Sequence, residues 1–218
     1  MARDAEATRR RILSVALSLF RERGFHETTM RRIASDCGLS LGAAYHHFAS
    51  KQDIVRAYYE QQMADHEAAT RDAWAPDQSW QERVGLVLHT SLDVRARDRA
   101  LMRELAPLVV SRDEAASAFS ERSADLRGRS QRLLREAVED DAVPEDFRDV
   151  LATALWAASL GMLLYFANDD SPRQRKTRDL VDGTVELLGM VVGALSLPPM
   201  APFRARLREV LDDASLIF

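Results

Sequence analysis

Between Thr28 and Lys51 the chain reads TTMRRIASDCGLSLGAAYHHFASK, which places Tyr45, His46, His47 and Lys51 within seven residues of one another. A phenol, two imidazoles and an ammonium offer hydrogen-bond donors and one fixed positive charge. That set suits anionic oxygens and base edges better than bond-making. Adjacent histidines on a helix point apart, so His46 and His47 do not suggest a metal site. The other histidines, His26, His66 and His89, are dispersed. No spacing supports a serine, histidine and carboxylate triad, and no glycine-rich phosphate loop is present. Cys37 is the single cysteine, which excludes an intrachain disulfide and a four-thiolate metal site. It occupies a core position at i+7 from Met30, so it reads as a small buried hydrophobe. No catalytic residue, metal or cofactor is expected, and a helical enzyme acting on a small apolar substrate stands as the weaker alternative.

Two short helices must position these groups. Thr29 can cap the first, which puts Met30, Ile33, Ala34 and Cys37 on one face, and Gly38 supplies the left-handed residue that stops it. Ser40 can cap the second, whose Ala44 and Phe48 look inward at i, i+4 spacing. The pair forms a helix-turn-helix, and in DNA-binding examples the second helix enters the major groove. Two turns of helix are about 12 Å long, close to the width of that groove.

Taken together, Arg23-Gly24-Phe25, Thr28-Thr29-Met30-Arg31-Arg32-Ile33-Ala34, Gly38-Leu39-Ser40, Gly42, Tyr45, His47-Phe48 and Ser50-Lys51 resemble the TetR family of transcriptional regulators. The resemblance covers roughly the first quarter of the chain. It implies phosphate contacts from Tyr45, His47 and Lys51, with Thr28 or Thr29 contributing from the N-terminus of the preceding helix. Ser40, Leu41, Gly42, Ala43 and His46 complete the expected DNA-facing set. Leu41 and Ala43 stand where many relatives carry longer polar side chains, and Ala44 where they carry a larger aliphatic one. Few base-edge donors therefore remain. Discrimination would rest on His46, on contact between Ala43 and thymine methyls, and on DNA shape.

The flanking sequence agrees with an all-α chain. Ile12, Val15, Ala16, Leu19 and Phe20 make a helical stripe on a first helix expected from about Ala5 to Arg23, with Arg9, Arg10 and Arg11 clustered near its start. Basic groups there oppose the helix dipole, which favours an anion outside the helix. The net charge of the chain is −4, yet residues 1 to 53 carry nine Lys and Arg against six Asp and Glu. A basic end joined to an acidic body suits local neutralisation of phosphates. The N-terminus lacks the order of a signal peptide, and a reducing cytoplasm is expected.

The expected organisation is a three-helix DNA-binding domain over residues 1–49, a linking helix from 50 to about 75 opened by Ser50-Lys51-Gln52-Asp53, and a helical effector-binding and dimerisation domain over 50–218. Ser79 can cap a helix carrying Trp80, Val84, Val87 and Leu88. Pro107 predicts a kink or break, and a charged helix is expected from Asp113 to about Glu139. Val150 to Phe166 contains seventeen uncharged residues, at the lower edge of a membrane span. Thr153, Ser159 and the lack of basic flanking bias favour a buried core or subunit-interface helix over a membrane span.

By resemblance, an effector pocket lies between about Trp80 and Phe166. Its candidates are Trp80, His89, Met102, Phe119, Trp156, Met162 and Tyr165, and the scarcity of charge among them implies a largely hydrophobic effector. The last two long helices would pair with those of a second copy. Leu155, Leu187, Gly189, Val191 and Gly193 are the expected interface, because two glycines four apart inside a helix invite close approach. The expected partners are thus a double-stranded, palindromic DNA operator, a second copy of the chain and a small apolar molecule. The expected activity is repression relieved by that molecule, with a regulator lacking any effector as the alternative.

Overall fold

The computed structural model describes residues 2–111 and 116–214. They form ten α-helices and no strand: α1 Ala2–Arg23, α2 Met30–Asp36, α3 Leu41–His47, α4 Lys51–Ala73, α5 Trp80–Arg95, α6 Arg99–Val110, α7 Ala124–Ala137, α8 Glu145–Asn168, α9 Arg175–Leu195 and α10 Ala201–Asp213. The chain divides into two compact units, one of Met1–Gln62 with Asp98–Leu126 and one of Met63–Arg97 with Arg127–Phe218. The first unit therefore takes in α6, which the sequence had placed with the body.

In the first unit, α1, α2 and α3 close around Ile12, Phe20, Ile33, Phe48, Ile54 and Val55, all at most 2% exposed. Each such side chain contributes about 1.5–3 kcal/mol relative to exposure. The turns follow the local signals. Gly24 adopts φ +90° and Gly38 φ +64°. After Gly38 the chain folds back through Leu39 N–H to Ala34 O at 2.9 Å. Leu101, Leu105 and Leu108 of α6 join the same core. Pro107 does not end α6, which continues to Val110. The lost backbone bond is offset by the leucines that hold the helix down.

The charged helix expected from Asp113 is shorter than the pattern suggested. Asp113 and Glu114 lie outside the described residues. Beyond them, Ala118 N–H donates to Val109 O at 2.9 Å, and α-helix resumes only at Ala124, after a 3₁₀ turn over Glu121–Ser123. Ser117 accounts for the interruption, since its hydroxyl accepts from Phe119 N–H at 3.2 Å and so stabilises a turn in place of a helix.

In the second unit, α5 opens on a complete capping box between Ser79 and Glu82 and buries Trp80, Val84, Val87 and Leu88. It packs on α9, and α8 packs on α9 and α10. Asp169 steers the chain from α8 into α9, accepting from Ser171 N–H at 2.9 Å and from Thr177 N–H and Oγ1 at 2.9 and 2.7 Å. Burial opposes its ionisation, but these donors outweigh it and hold the carboxyl well below the usual range. By length and composition α8 could cross a membrane, yet half of that apolar window is buried inside the chain.

Candidate nucleic-acid interface

The reading helix α3 is fixed at its start by Ser40, whose Oγ accepts from Ala43 N–H at 3.1 Å. Its inner face is anchored by Ala44 and Phe48, which are 0% and 2% exposed. The opposite face carries Gly42, Tyr45 and His46 into solvent, with Ala43 and His47 half-buried. A side chain at Gly42 would meet nothing within 4 Å, so this turn of the helix presents bare backbone. The imidazoles of His46 and His47 lie edge to face at 5.6 Å. Leu41 is half-buried and packs against the core, which leaves it less to offer a partner than its sequence position implied.

On α2, Thr29 is exposed and caps the helix by accepting from Arg32 N–H at 3.2 Å. Thr28 is different. It is 1% exposed, and its hydroxyl donates to Gly24 O at 2.8 Å. It therefore closes the end of α1 and is a structural residue, not the DNA contact that its sequence position suggested. Arg31 and Arg32 are exposed beside Thr29, with Arg32 bonded to Asp36 at 2.9 Å. The sequence pattern had passed over Arg31; its signal is a cation in the first turn of a helix, where the dipole disfavours it.

Lys51 also departs from expectation. Its Nζ donates to Phe25 O at 2.5 Å and His26 O at 3.2 Å, and sits 4.4 Å from the centre of the Phe25 ring. Burial pushes the ammonium down from its ordinary value, while the Glu104 and Glu27 carboxylates oppose that shift. The free charge assigned to a phosphate is thus turned into the domain, where it holds the α1–α2 turn. Glu104 of α6 accepts the Phe25 N–H in the same turn.

Arg9 was likewise placed in a basic cluster at the start of the first helix, facing an anion outside it. Because α1 begins at Ala2, three residues earlier than expected, Arg9 lies in the helix interior rather than at its start. Its Nη1 donates to His47 O at 2.9 Å, and its guanidinium lies 4.1 Å from the centre of the Phe48 ring. Arg10 and Arg11 remain exposed. Cys37 is 5% exposed and its thiol is pushed up by burial, with Arg11 opposing and Asp36 reinforcing, so it does not resemble a reactive thiolate.

The body residues are less gathered. Trp80, Trp156 and Met162 are buried in the second unit, where His89 Nε2 lies 2.7 Å from Asp182 Oδ1 and Tyr165 is 45% exposed. Met102 and Phe119 belong to the first unit, and Phe119 is exposed in its turn. Of the interface candidates, Leu187, Val191 and Gly193 are exposed, whereas Leu155 is buried within its own chain and offers no surface to a partner. Gly189 is also committed internally, since a Cβ there would lie 3.3 Å from the Gln81 amide of α5. No group of three or more His, Cys, Asp or Glu among the described residues is placed to hold a metal.

The helix-turn-helix with its exposed Tyr45 and His46 matches, over residues 12–58, the family model of bacterial regulatory proteins of the tetR family. Residues 83–215, more than half of the chain, match the tetracyclin repressor-like C-terminal domain. The chain belongs to the TetR family. Among TetR relatives, the HTH-type transcriptional regulator UidR of Escherichia coli K12 is 44% identical over 57 residues, covering 26% of this chain and 29% of UidR. The chain thus spans less than a third of the UidR length in that match. The transcriptional repressor Rv1474c of Mycobacterium tuberculosis is 29% identical over 185 residues, covering 82% of this chain and 93% of the relative. The fold is also that of Thermus thermophilus FadR, a TetR repressor solved in complex with lauroyl-CoA, at a TM-score of 0.65 and 21% identity over 83% of this chain and 92% of that one.

Proposed function

We propose that this TetR-family chain is a sequence-specific DNA-binding regulator of transcription in the cytoplasm, acting as a homodimeric repressor released by a small, largely hydrophobic effector. The observation that carries the reading is the α2–α3 pair, whose inner face is sealed by Ala34, Ala44 and Phe48 while Thr29, Gly42, Tyr45 and His46 face out. Thr29 and Tyr45 hold the phosphate backbone and His46 reads a base edge. Exposed Arg31 adds charge beside Thr29.

The dimer reading is supported by two apolar stripes that are exposed among the described residues. On α8 these are Ala154, Ala158, Gly161 and Tyr165, and on α9 Leu180, Leu187 and Val191. Small residues on one helix and large ones on the other suit a self-complementary two-fold contact, and two reading heads then require a palindromic operator. The effector reading is supported by the lauroyl-CoA bound to the FadR neighbour and by the buried Trp156 and Met162.

The test is selection of genomic fragments by the purified protein, followed by a screen of acyl-chain and other apolar metabolites for thermal stabilisation. The reading expects recovery of a shared palindrome and at least one compound that both stabilises the protein and weakens its hold on that palindrome. Stabilisation requires preferential binding to the folded state, and release requires preference for one folded conformation. Recovery of a palindrome with no such compound would favour a regulator controlled by its own level.

A further inference from the structure

We infer that Arg9 is a positioning residue for DNA recognition, fixing the C-terminal end of the reading helix α3 through the His47 carbonyl and the Phe48 ring. The inference rests on the proposal that α3 reads DNA. It concerns a residue that the sequence pattern had grouped with Arg10 and Arg11 in a basic cluster facing an outside anion.

α3 has seven residues, so every one of its carbonyls lies within the last two turns; the last backbone donor, Phe48 N–H, goes to Ala44 O at 3.0 Å, and the carbonyls of Tyr45, His46 and His47 lie beyond it. Its N-terminal end is held by the Ser40 cap and the Gly38 turn. Its middle is held by Ala44 at 0% exposure. At the C-terminal end the chain leaves the helix at Phe48, which adopts an extended φ of −141°. Buried Phe48 anchors the inner side of that end, and the carbonyl of His47 on its far side needs a donor from outside the helix.

Arg9 supplies the missing restraint from another helix, 38 residues away in sequence. One planar guanidinium does two things at once there. It donates to His47 O at 2.9 Å and lies 4.1 Å from the Phe48 ring centre. A cation at the negative end of a helix dipole is also favoured. A lysine keeps the charge but loses the planar face and the second donor, so it cannot satisfy both contacts in this geometry. Tyr45 and His46 sit within one turn of the clamped carbonyl. A change in tilt at His47 therefore moves the two exposed side chains of the reading face directly.

The competing account is that Arg9 meets a phosphate, and the two accounts separate by salt dependence. Each phosphate neutralised adds about 0.9 to the slope of log affinity against log salt and strengthens all sequences alike. A positioning residue leaves the slope unchanged and acts on the ratio between cognate and scrambled duplex.

The experiment uses the full chain with Arg9→Lys, Arg9→Ala and the exposed control Arg10→Ala. The probes are a duplex recovered from genomic selection by the unaltered protein and a scrambled duplex of equal length, each titrated across a salt series. Arg9→Lys is expected to lower the cognate-to-scrambled ratio by about tenfold, which corresponds to about 1.4 kcal/mol, with the salt slope intact and folding confirmed by circular dichroism. Arg9→Ala is expected to lower the ratio at least as far. If Arg9→Ala does not fold, Arg9→Lys carries the test. A purely stabilising role would lower the melting temperature while leaving the ratio unchanged below the transition, and that result overturns the inference. So does a slope reduced by about 0.9 with both duplexes weakened equally. A wild-type protein with no preference for any duplex overturns the DNA-reading proposal itself, whereas a wild-type preference kept in full by Arg9→Lys overturns only the role given to Arg9.

Discussion

Lys51 Nζ donates to the carbonyl oxygen of Phe25 at 2.5 Å and lies over the ring of the same residue. The lysine at the end of the helix-turn-helix therefore braces the turn between α1 and α2 across 26 residues of sequence. Lys51→Ala should cost about 1.5 to 3 kcal/mol, the range for hydrogen bonds with one charged partner. Chemical denaturation would read that loss. The salt slope of DNA binding should stay as in the unaltered protein. A reduced slope with unchanged stability would return Lys51 to the phosphate backbone.

Tyr45 and His46 are both exposed on α3, yet the roles assigned to them differ. Tyr45→Ala should weaken cognate and scrambled duplexes together. His46→Ala should instead narrow the gap between them, by the order of 1–3 kcal/mol that one base contact carries. Fluorescence anisotropy on both duplexes checks the pair, and an exchange of the two behaviours would reverse the assignment.

His66 gives the second unit an acid sensitivity. Its ring is 4% exposed and Nε2 lies 2.8 Å from Val87 O, which accepts and so fixes the proton on Nε2. Burial, reinforced by the positive Arg95, lowers its pKa from 6.5 to about 4, with the Val87 bond and Glu67 opposing. The unfolded chain takes up a proton at higher pH than the folded one. The stabilisation is therefore complete above about pH 6.5 and is lost as pH falls towards 4, to an extent on the order of 3 kcal/mol. Urea denaturation across that window should show the loss. In His66→Gln, which keeps a donor for Val87 O but cannot titrate, the pH dependence should flatten.

Gly189 and Gly193 should respond differently to the same change. Gly189→Leu meets the end of the flexible Gln81 side chain, which must shift, so it should lower stability by less than the roughly 1–3 kcal/mol of an overpacked core. Gly193 has nothing within 4 Å, so Gly193→Leu should leave monomer stability nearly intact. If α9 pairs with a second copy, however, Gly193→Leu should lower dimer affinity in analytical ultracentrifugation. A Gly193→Leu protein that stays fully dimeric would move the pairing surface to Leu187 and Val191 without the glycine.

The sequence by itself determined the elements of the reading domain, because their signals are local. Thr29 and Ser40 cap, Gly24 and Gly38 take positive φ, and Met30, Ile33, Ala34, Ala44 and Phe48 face inward at helical spacing. Helical spacing likewise located α5, and an uncharged apolar run located α8. What the sequence pattern could not assign is where long or small side chains end up once helices from distant segments meet. Arg9 and Lys51 look like surface cations in sequence, and only the packing of α1 against α3 and α4 brings backbone carbonyls within their reach. Thr28 and Thr29 are indistinguishable by type, yet the end of α1 buries one and leaves the other exposed. Leu155 and Leu187 are equally apolar, and their sorting into interior and surface depends on how α8 and α9 pack together. Periodicity defines a helical face; the neighbour that covers it is decided by tertiary contact, because the burial that stabilises it depends on area shared between segments far apart in the chain.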